Sequence, residues 1–290
     1  MTDSLDLWRR NGTSFAWQGH DIFVRRGGEP AAPVLLLIHG FPTASWDFAP
    51  LWDGLAARWR VLTLDMLGFG LSAKPPGHRY SIAGQADLVQ ALLRAEGVAE
   101  YHVLAHDYGD TVAQELLARD AAAPALRSVC LLNGGIFPEA HRPLPIQRLL
   151  SSPVGPLVAR LSSRAMFTAS MRRIFSRSRP PTPAELDSWW ALVTHDNGRA
   201  ALAGLSRYRQ ERRQLRARWV GALQATRVPL RLIVGTVDPI AGAGMAVRYR
   251  QLVPRPDIVE LAGVGHYPQV EAPGLVLEAY GDFRAAHGVG

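Results

Sequence analysis

The chain has 290 residues, 48% of them hydrophobic and 20% charged, which supplies apolar material for a core and excludes a disordered or fibrous chain. At about twice the roughly 100–150 residues of a modal domain, the length predicts one α/β body carrying an insertion. The longest apolar run, Val34 to Ile38, falls far short of the ~20 residues a membrane-spanning helix needs, so no integral membrane segment is expected.

The opening residues, MTDSLDLWRRNG, put acids and arginines where a secretory leader needs a basic start and an apolar stretch, which predicts a cytoplasmic location. Cys130 is the only cysteine. An intrachain disulfide and a multi-thiolate metal site are therefore excluded, and within Val129-Cys130-Leu131-Leu132 the thiol reads as a small core residue. Basic residues number 32 against 25 acidic, a net charge of +7. Many of the arginines fall in stretches 160–179 and 207–218, where aromatic residues stand singly and offer no stacking platform. A solvated helical face is expected there, with no nucleic-acid partner.

In chain order, an opening hairpin is predicted from Phe15 to Trp17 and Ile22 to Arg25. Strands follow at Val34 to Ile38, Val61 to Asp65, His102 to His106, Val129 to Asn133, Leu230 to Val234 and Ile258 to Leu261. Helical periodicity lies between them, at Ile82 to Arg94, Thr111 to Arg119, Met245 to Leu252 and Leu275 to Ala285. Such alternation specifies a mostly parallel, twisted sheet with helices on both faces. Between Pro138 and about Arg213 the pattern breaks into prolines, arginines and amphipathic pieces, Leu157 to Phe175 and Glu185 to Val193, with no strand. A helical cap over the carboxyl edge of the sheet is expected, because ligands of open α/β sheets bind in that crevice. The division is 1–137 for the first part of the core, 138–213 for the cap and 214–290 for the second part.

Ala105-His106-Asp107-Tyr108-Gly109 joins a predicted strand to a predicted helix. Small residues flanking a central side chain allow the sharp turn of a nucleophile elbow, here with aspartate in place of serine. Upstream, His39-Gly40-Phe41-Pro42 ends a strand where one oxyanion-hole amide can lie, so Phe41 and Tyr108 are the expected amide donors. Downstream, Val234-Gly235-Thr236-Val237-Asp238 ends a strand with an acid, and Gly263-Val264-Gly265-His266 places a histidine after the last strand. Asp107, Asp238 and His266 thus follow the order nucleophile, acid, histidine. His39, Pro42 and His106 beside these motifs, with Trp189, Trp190 and His195 from the cap, are expected to line the substrate pocket.

Two other patterns carry no such chemistry. Gly68-Phe69-Gly70-Leu71-Ser72-Ala73 matches a dinucleotide fingerprint but runs into Lys74-Pro75-Pro76-Gly77, so no helix N-terminus aims amides at a phosphate. His102 and His106 have helical zinc-pair spacing, yet on a strand they stand about 13 Å apart. Neither a metal nor a cofactor is expected.

With these motifs the chain resembles the α/β-hydrolase superfamily over nearly its whole length, and within it the aspartate-nucleophile branch of epoxide hydrolases and haloalkane or haloacid dehalogenases. HDYGDTVAQELL, NGGIFPEAHRPL and RRQLRARWVGAL resemble the mesoderm-specific transcript protein group. Leu205-Ser206-Arg207-Tyr208-Arg209-Gln210 resembles the Tyr-Arg segment of epoxide hydrolases, which implies Tyr208 as the acid that protonates an opening epoxide. Those enzymes usually carry a second cap tyrosine, but none lies between Pro138 and Arg207. His141 and His195 are the candidate substitutes. Dehalogenases of the haloalkane type commonly place tryptophan after the nucleophile and a side-chain donor where Phe41 stands, whereas fluoroacetate-type enzymes share His-Gly-Phe-Pro.

The resemblance and the motifs imply a hydrolase opening small apolar epoxides to vicinal diols, with water as co-substrate, as a monomer or homodimer. Dehalogenation by the same residues and a non-catalytic small-molecule receptor are the alternatives. A conventional esterase is disfavoured because no serine occupies the elbow.

Overall fold

Leucine and β-branched residues make strand centres when they are covered on both faces, and the middle of this chain's sheet is built that way. The computed structural model describes residues 4–122 and 124–288. Its eight-stranded sheet comprises β1 (Gly12–Trp17), β2 (His20–Gly27), β3 (Val34–Ile38), β4 (Arg60–Leu64), β5 (Tyr101–His106), β6 (Leu126–Leu132), β7 (Leu230–Gly235) and β8 (Ile258–Leu261). The spatial order is β1-β2-β4-β3-β5-β6-β7-β8. Strand β2 pairs antiparallel with β1 and β4, and the pairs from β4 to β8 are parallel. Every residue of β3 and β5 is buried.

The helices are α1 (Leu5–Arg10), α2 (Trp52–Ala56), α3 (Ile82–Ala95), α4 (Tyr108–Asp120), α5 (Pro145–Leu150), α6 (Gly155–Leu161) and α7 (Arg164–Ile174). They continue with α8 (Pro183–Thr194), α9 (Leu202–Leu205), α10 (Tyr208–Gln214), α11 (Arg216–Ala225), α12 (Ala243–Leu252), α13 (Pro268–Glu271) and α14 (Pro273–Ala285). Short 3-10 helices occupy Ser45–Leu51 and His195–Ala201. The periodicity of the sequence missed α1 and the turn leading into α2, which are too short to show a helical repeat. It also merged α6 with α7. The break falls at Ser162 and Ser163: the Ser162 hydroxyl bonds back to the Val158 carbonyl, and the Ser163 hydroxyl accepts from the Met166 amide and caps a new helix.

Between β6 and β7 the described residues contain helices and no strand. This insertion is tied to the sheet by backbone bonds, from the His266 amide to the Ile174 carbonyl and from the Arg142 amide to the Ile240 carbonyl. Its last helix, α11, packs along α4. Glu115 of α4, 5% exposed, accepts bonds from Arg119, from Arg218 and from the Trp219 indole at 2.7 Å. The arginines 207–218 therefore do not form one solvated face as expected from sequence: Arg218 serves this seam, and Arg212 is buried. Among the described residues no helix is long and apolar enough to cross a membrane.

Burial alone would raise the Glu115 carboxyl, but its arginine and indole partners hold it down at about 2. A depressed carboxyl stabilises the fold above its unfolded range, near 4.5, and loses that contribution as pH falls through the folded value. Glu115→Gln is expected to cost roughly 1–3 kcal/mol at neutral pH in chemical denaturation. That deficit should shrink steadily as the measurement is repeated from pH 4.5 toward 2.

Candidate active site

Strand β5 ends at His106 and helix α4 starts at Tyr108, so Asp107 alone makes the turn. Its backbone lies at φ 48°, ψ −101°, a strained conformation for a residue with a Cβ and one that clusters at functional sites. The turn is tight because Gly109 follows: a Cβ there would stand 2.3 Å from the Ile38 carbonyl oxygen of the neighbouring strand. The Asp107 carboxylate is buried at 1% exposure. Its Oδ2 accepts the Phe41 amide at 3.1 Å, at the end of β3. Tyr108 opens α4, so its N–H is among the amides that have no partner within the helix.

His266 follows β8 and lies beside this turn. Its Nδ1 donates to Asp238 Oδ2 at 2.7 Å, with both side chains buried. Asp238 is held in turn by the Asn133 side-chain amide at 2.8 Å and by the amides of Ile240 and Ala241. Burial opposes the Asp238 charge, but His266, Asn133 and the Ile240 amide together hold its carboxyl below the usual range. For His266, burial likewise opposes the charge, and Asp238 and Asp107 overcome it to raise the imidazole to about 9. Asn133 was not singled out in the sequence. It sits just past β6, and its side-chain oxygen also accepts the Gly235 amide, so one residue locks the ends of two strands.

Tyr208 and Arg212 lie one turn apart on α10, which puts both on the same face. The Tyr208 ring packs against Phe41 and Tyr108 at 5.9 and 4.9 Å between centroids. Its hydroxyl is buried and has no hydrogen-bond partner, and burial first, then the Asp107 charge, raises its pKa so that the phenol keeps its proton. Arg212 reaches from α10 to Asp107. Its Nη2 donates to the Asp107 carbonyl at 2.9 Å and stands 3.8 Å from Oδ1, and its Nε donates to Thr111 at 2.6 Å.

An apolar cavity of about 80 Å³ is walled by Phe41, Pro42, Met171, Ile174, Trp190 and His266, among others. This is well below the roughly 300–1,000 Å³ of sites for drug-sized ligands. Of the pocket residues expected from sequence, Pro42 and Trp190 are in this wall. His39 is instead a buried spacer, accepting the Met66 amide at Nε2. His106 bonds the His266 carbonyl at 2.8 Å, and burial pulls its pKa down to about 3, leaving it neutral. Trp189 turns its indole N–H to Asp47 at 2.8 Å; burial pushes that carboxyl up to about 8. His195 is half-buried near Lys74, Arg9 and Asp196, and is not in the cavity wall. His141 stands beside Gly135 and the Arg212 guanidinium, outside the cavity wall. His102, buried on β5, bonds Ser128 and Arg284. Among the described residues no group of three His, Cys, Asp or Glu side chains is arranged to hold a metal ion.

A family model described as alpha/beta hydrolase fold matches residues 33–273. The chain belongs to the α/β-hydrolase fold family. Within that family it is 39% identical to mesoderm-specific transcript protein of Mus musculus over 98% of this chain and 88% of the relative. Haloalkane dehalogenase 2 of Mycobacterium tuberculosis is 28% identical over 87% of each chain. The crystal structure of a haloalkane dehalogenase from Bradyrhizobium elkani superposes with a TM-score of 0.82 at 21% identity, over 95% of this chain and 98% of that one. At that identity the likeness concerns the α/β-hydrolase architecture alone.

The His266–Asp238 pair makes the stability of this α/β-hydrolase pH-dependent in a defined direction. A histidine raised in the folded state contributes fully below its unfolded value of 6.5 and loses that contribution as pH rises through about 9. The difference in unfolding free energy between the native protein and His266→Gln should therefore be largest near pH 6.5 and diminish toward pH 9 and above, as measured by denaturant titration. A difference constant across that interval would show that the imidazole is not charged in the native state.

Proposed function

We propose that the protein is a cofactor-independent hydrolase in which Asp107 opens small apolar epoxides to vicinal diols. The observation that supports this most is the strained turn that presents a buried carboxylate, one oxygen on a backbone amide, beside a His–Asp pair. A carboxylate suits displacement at a saturated carbon, because the product is an alkyl ester that a second attack can hydrolyse.

In this reading Asp107 Oδ1 attacks an epoxide carbon, the carbon–oxygen bond of the ring breaks, and the ring oxygen takes the Tyr208 proton. The Tyr208 hydroxyl suits that role, being protonated and unpartnered. Esterification removes the Asp107 charge, one of the interactions that raise His266. The imidazolium thereby gives up its proton, which returns through water to the Tyr208 phenolate, and the neutral imidazole can act as base. It then takes a proton from water, whose oxygen adds to the Asp107 carbonyl carbon. The developing oxyanion is held by the Phe41 amide, with the Tyr108 amide as the second donor. Collapse expels the diol oxygen, which takes the proton from His266, and the Asp107 carboxylic acid so formed passes its proton to the imidazole, restoring the carboxylate and the charged His266. Neither His141 nor His195 supplies the second acid that epoxide hydrolases usually have, so Tyr208 acts alone. The 80 Å³ cavity meets these residues through Phe41 and His266, with Asp107 and Tyr208 behind its wall, and favours the smallest substrates of the class.

The haloalkane dehalogenase among the relatives favours a second reading, displacement of a halide by the same first step. Trp189 has committed its N–H to Asp47 and Phe41 has no side-chain donor. The Trp190 indole in the cavity wall would then be the halide donor.

His266→Ala separates these readings. The variant should form the ester and fail to hydrolyse it, so incubation with 1,2-epoxybutane adds the full reagent mass to Asp107 in intact-mass and peptide spectra. With 1-bromobutane the addition is the reagent less hydrogen bromide. Adduct from the bromide alone overturns the epoxide assignment. Absence of any adduct, together with no turnover by the native protein, overturns the hydrolase and leaves a small-molecule receptor.

A further inference from the structure

We propose that Arg212, carried by the insertion, is a positioning residue for the nucleophile: its guanidinium supplies the counter-charge that keeps the buried Asp107 carboxylate ionised and braces the turn that aims it. This rests on the reading of Asp107 as nucleophile, and no motif in the sequence assigns Arg212 a role.

The geometry carries the proposal. The Arg212 and Asp107 side chains are 3% and 2% exposed, so water does little to screen or solvate either charge. Three attachments fix the guanidinium to the β5–α4 turn: to the Asp107 carbonyl, to the Thr111 hydroxyl and, more loosely at 3.8 Å, to Oδ1. The Tyr208 ring stacks on it at 4.5 Å, which sets acid and nucleophile against one plane. Gly135 leaves the space. A Cβ on residue 135 would stand 2.3 Å from Arg212 Nη1, which gives a physical reason for glycine within Asn133-Gly134-Gly135.

Of the other cations near this turn, His266 is claimed by Asp238 at 2.7 Å, and Arg209 bonds the Gln147 carbonyl and the Ser151 hydroxyl. His106 at the end of β5 and His141 after β6 are both driven down to about 3 by burial, and are neutral. Asp110 on α4, facing both Asp107 and Arg212, is pushed well above the carboxylate range by burial and by the Asp107 charge. Tyr108, Tyr208 and Tyr267 around the turn keep their protons. Asp238 is thus paired with His266 at 2.7 Å, and the Arg212 guanidinium stands 3.8 Å from Asp107 Oδ1.

Two readouts test this. In protein labelled with ¹³C at the aspartate side-chain carboxyl, and with Asp107→Asn for assignment, the Asp107 resonance is titrated in native protein, Arg212→Met and Arg212→Lys. An opposite charge at this range lowers a carboxyl by about 1–3 pH units. Arg212→Met should therefore raise the midpoint by at least about one unit, and Arg212→Lys, which keeps the charge, by less than half of that. Gly135→Ala, which displaces the guanidinium without altering it, should shift the midpoint in the same direction as Arg212→Met and serves if that variant does not fold. An unchanged midpoint in Arg212→Met, or in Gly135→Ala where only that variant folds, overturns the proposal.

The second readout is the rate of adduct formation by 1,2-epoxybutane and 1-bromobutane in the His266→Ala background. Adding Arg212→Met should slow it about 10-fold or more at pH values below the native Asp107 midpoint, in proportion to the midpoint shift. The deficit should close at high pH, where Asp107 ionises without help, whereas simple misfolding would leave it open at every pH. Equal rates in both backgrounds overturn the role of Arg212 while leaving the hydrolase standing. If His266→Ala alone forms no adduct, the hydrolase reading fails and the carboxyl titration still decides the charge pairing.

Discussion

A carboxylate taken out of water needs a partner of opposite charge or a proton, because the solvation it gives up is worth several kcal/mol. The centre of this protein holds Asp107, Asp110 and Asp238 within a few residues of strand ends, all essentially without solvent. Each meets the requirement differently. Asp238 has an imidazole and a cluster of amides. Asp110 has its proton. Asp107 has a guanidinium and the amide of Phe41. The division sorts three chemically identical side chains into an orienting acid, a neutral filler and a bare nucleophile in the proposed reaction.

The sheet serves this arrangement by bringing strand ends to one edge. Asp107 follows β5, Phe41 follows β3, Asn133 follows β6, Asp238 follows β7 and His266 follows β8. In the spatial order β3-β5-β6-β7-β8 these are consecutive neighbours, so residues spread over most of the chain converge without any long excursion. Asn133, between β6 and β7, ties the acid to the sheet through Gly235 and Asp238. The site is thus anchored on the rigid part of the fold. The insertion contributes side chains that lean in and the Ile174 carbonyl that accepts the His266 amide.

That difference explains what could be read from the sequence. Strands such as Val34–Ile38 and the turn around Asp107 declare themselves, because a buried parallel strand and a sharp strand-to-helix turn each demand a local run of particular residues. Asp238 and His266 are legible because they occupy strand ends in a fixed order. Side chains from the insertion are less so, since no local pattern tells which way a short helix faces; Tyr208 was reached through a resemblance. Trp189 and Trp190 are adjacent and chemically alike, yet one bonds Asp47 and the other walls the cavity. His195 looked equally placed and lies outside. Arg212, among arginines that read as solvated, is buried. The one available signal was its spacing of four residues from Tyr208, which puts both on one helical face.

Helical insertions on this kind of sheet invite exchange between proteins, since they can be excised between two strands and replaced to reshape a cavity. Here the excised piece would carry away the guanidinium bonded to the Asp107 carbonyl and to Thr111 along with the cavity wall. A chimaera with a better-shaped roof but no cation at that point would keep every residue of the His–Asp pair and lose the charge that the proposal sets against Asp107. Grafting on this scaffold is therefore a problem of charge conservation before it is a problem of shape.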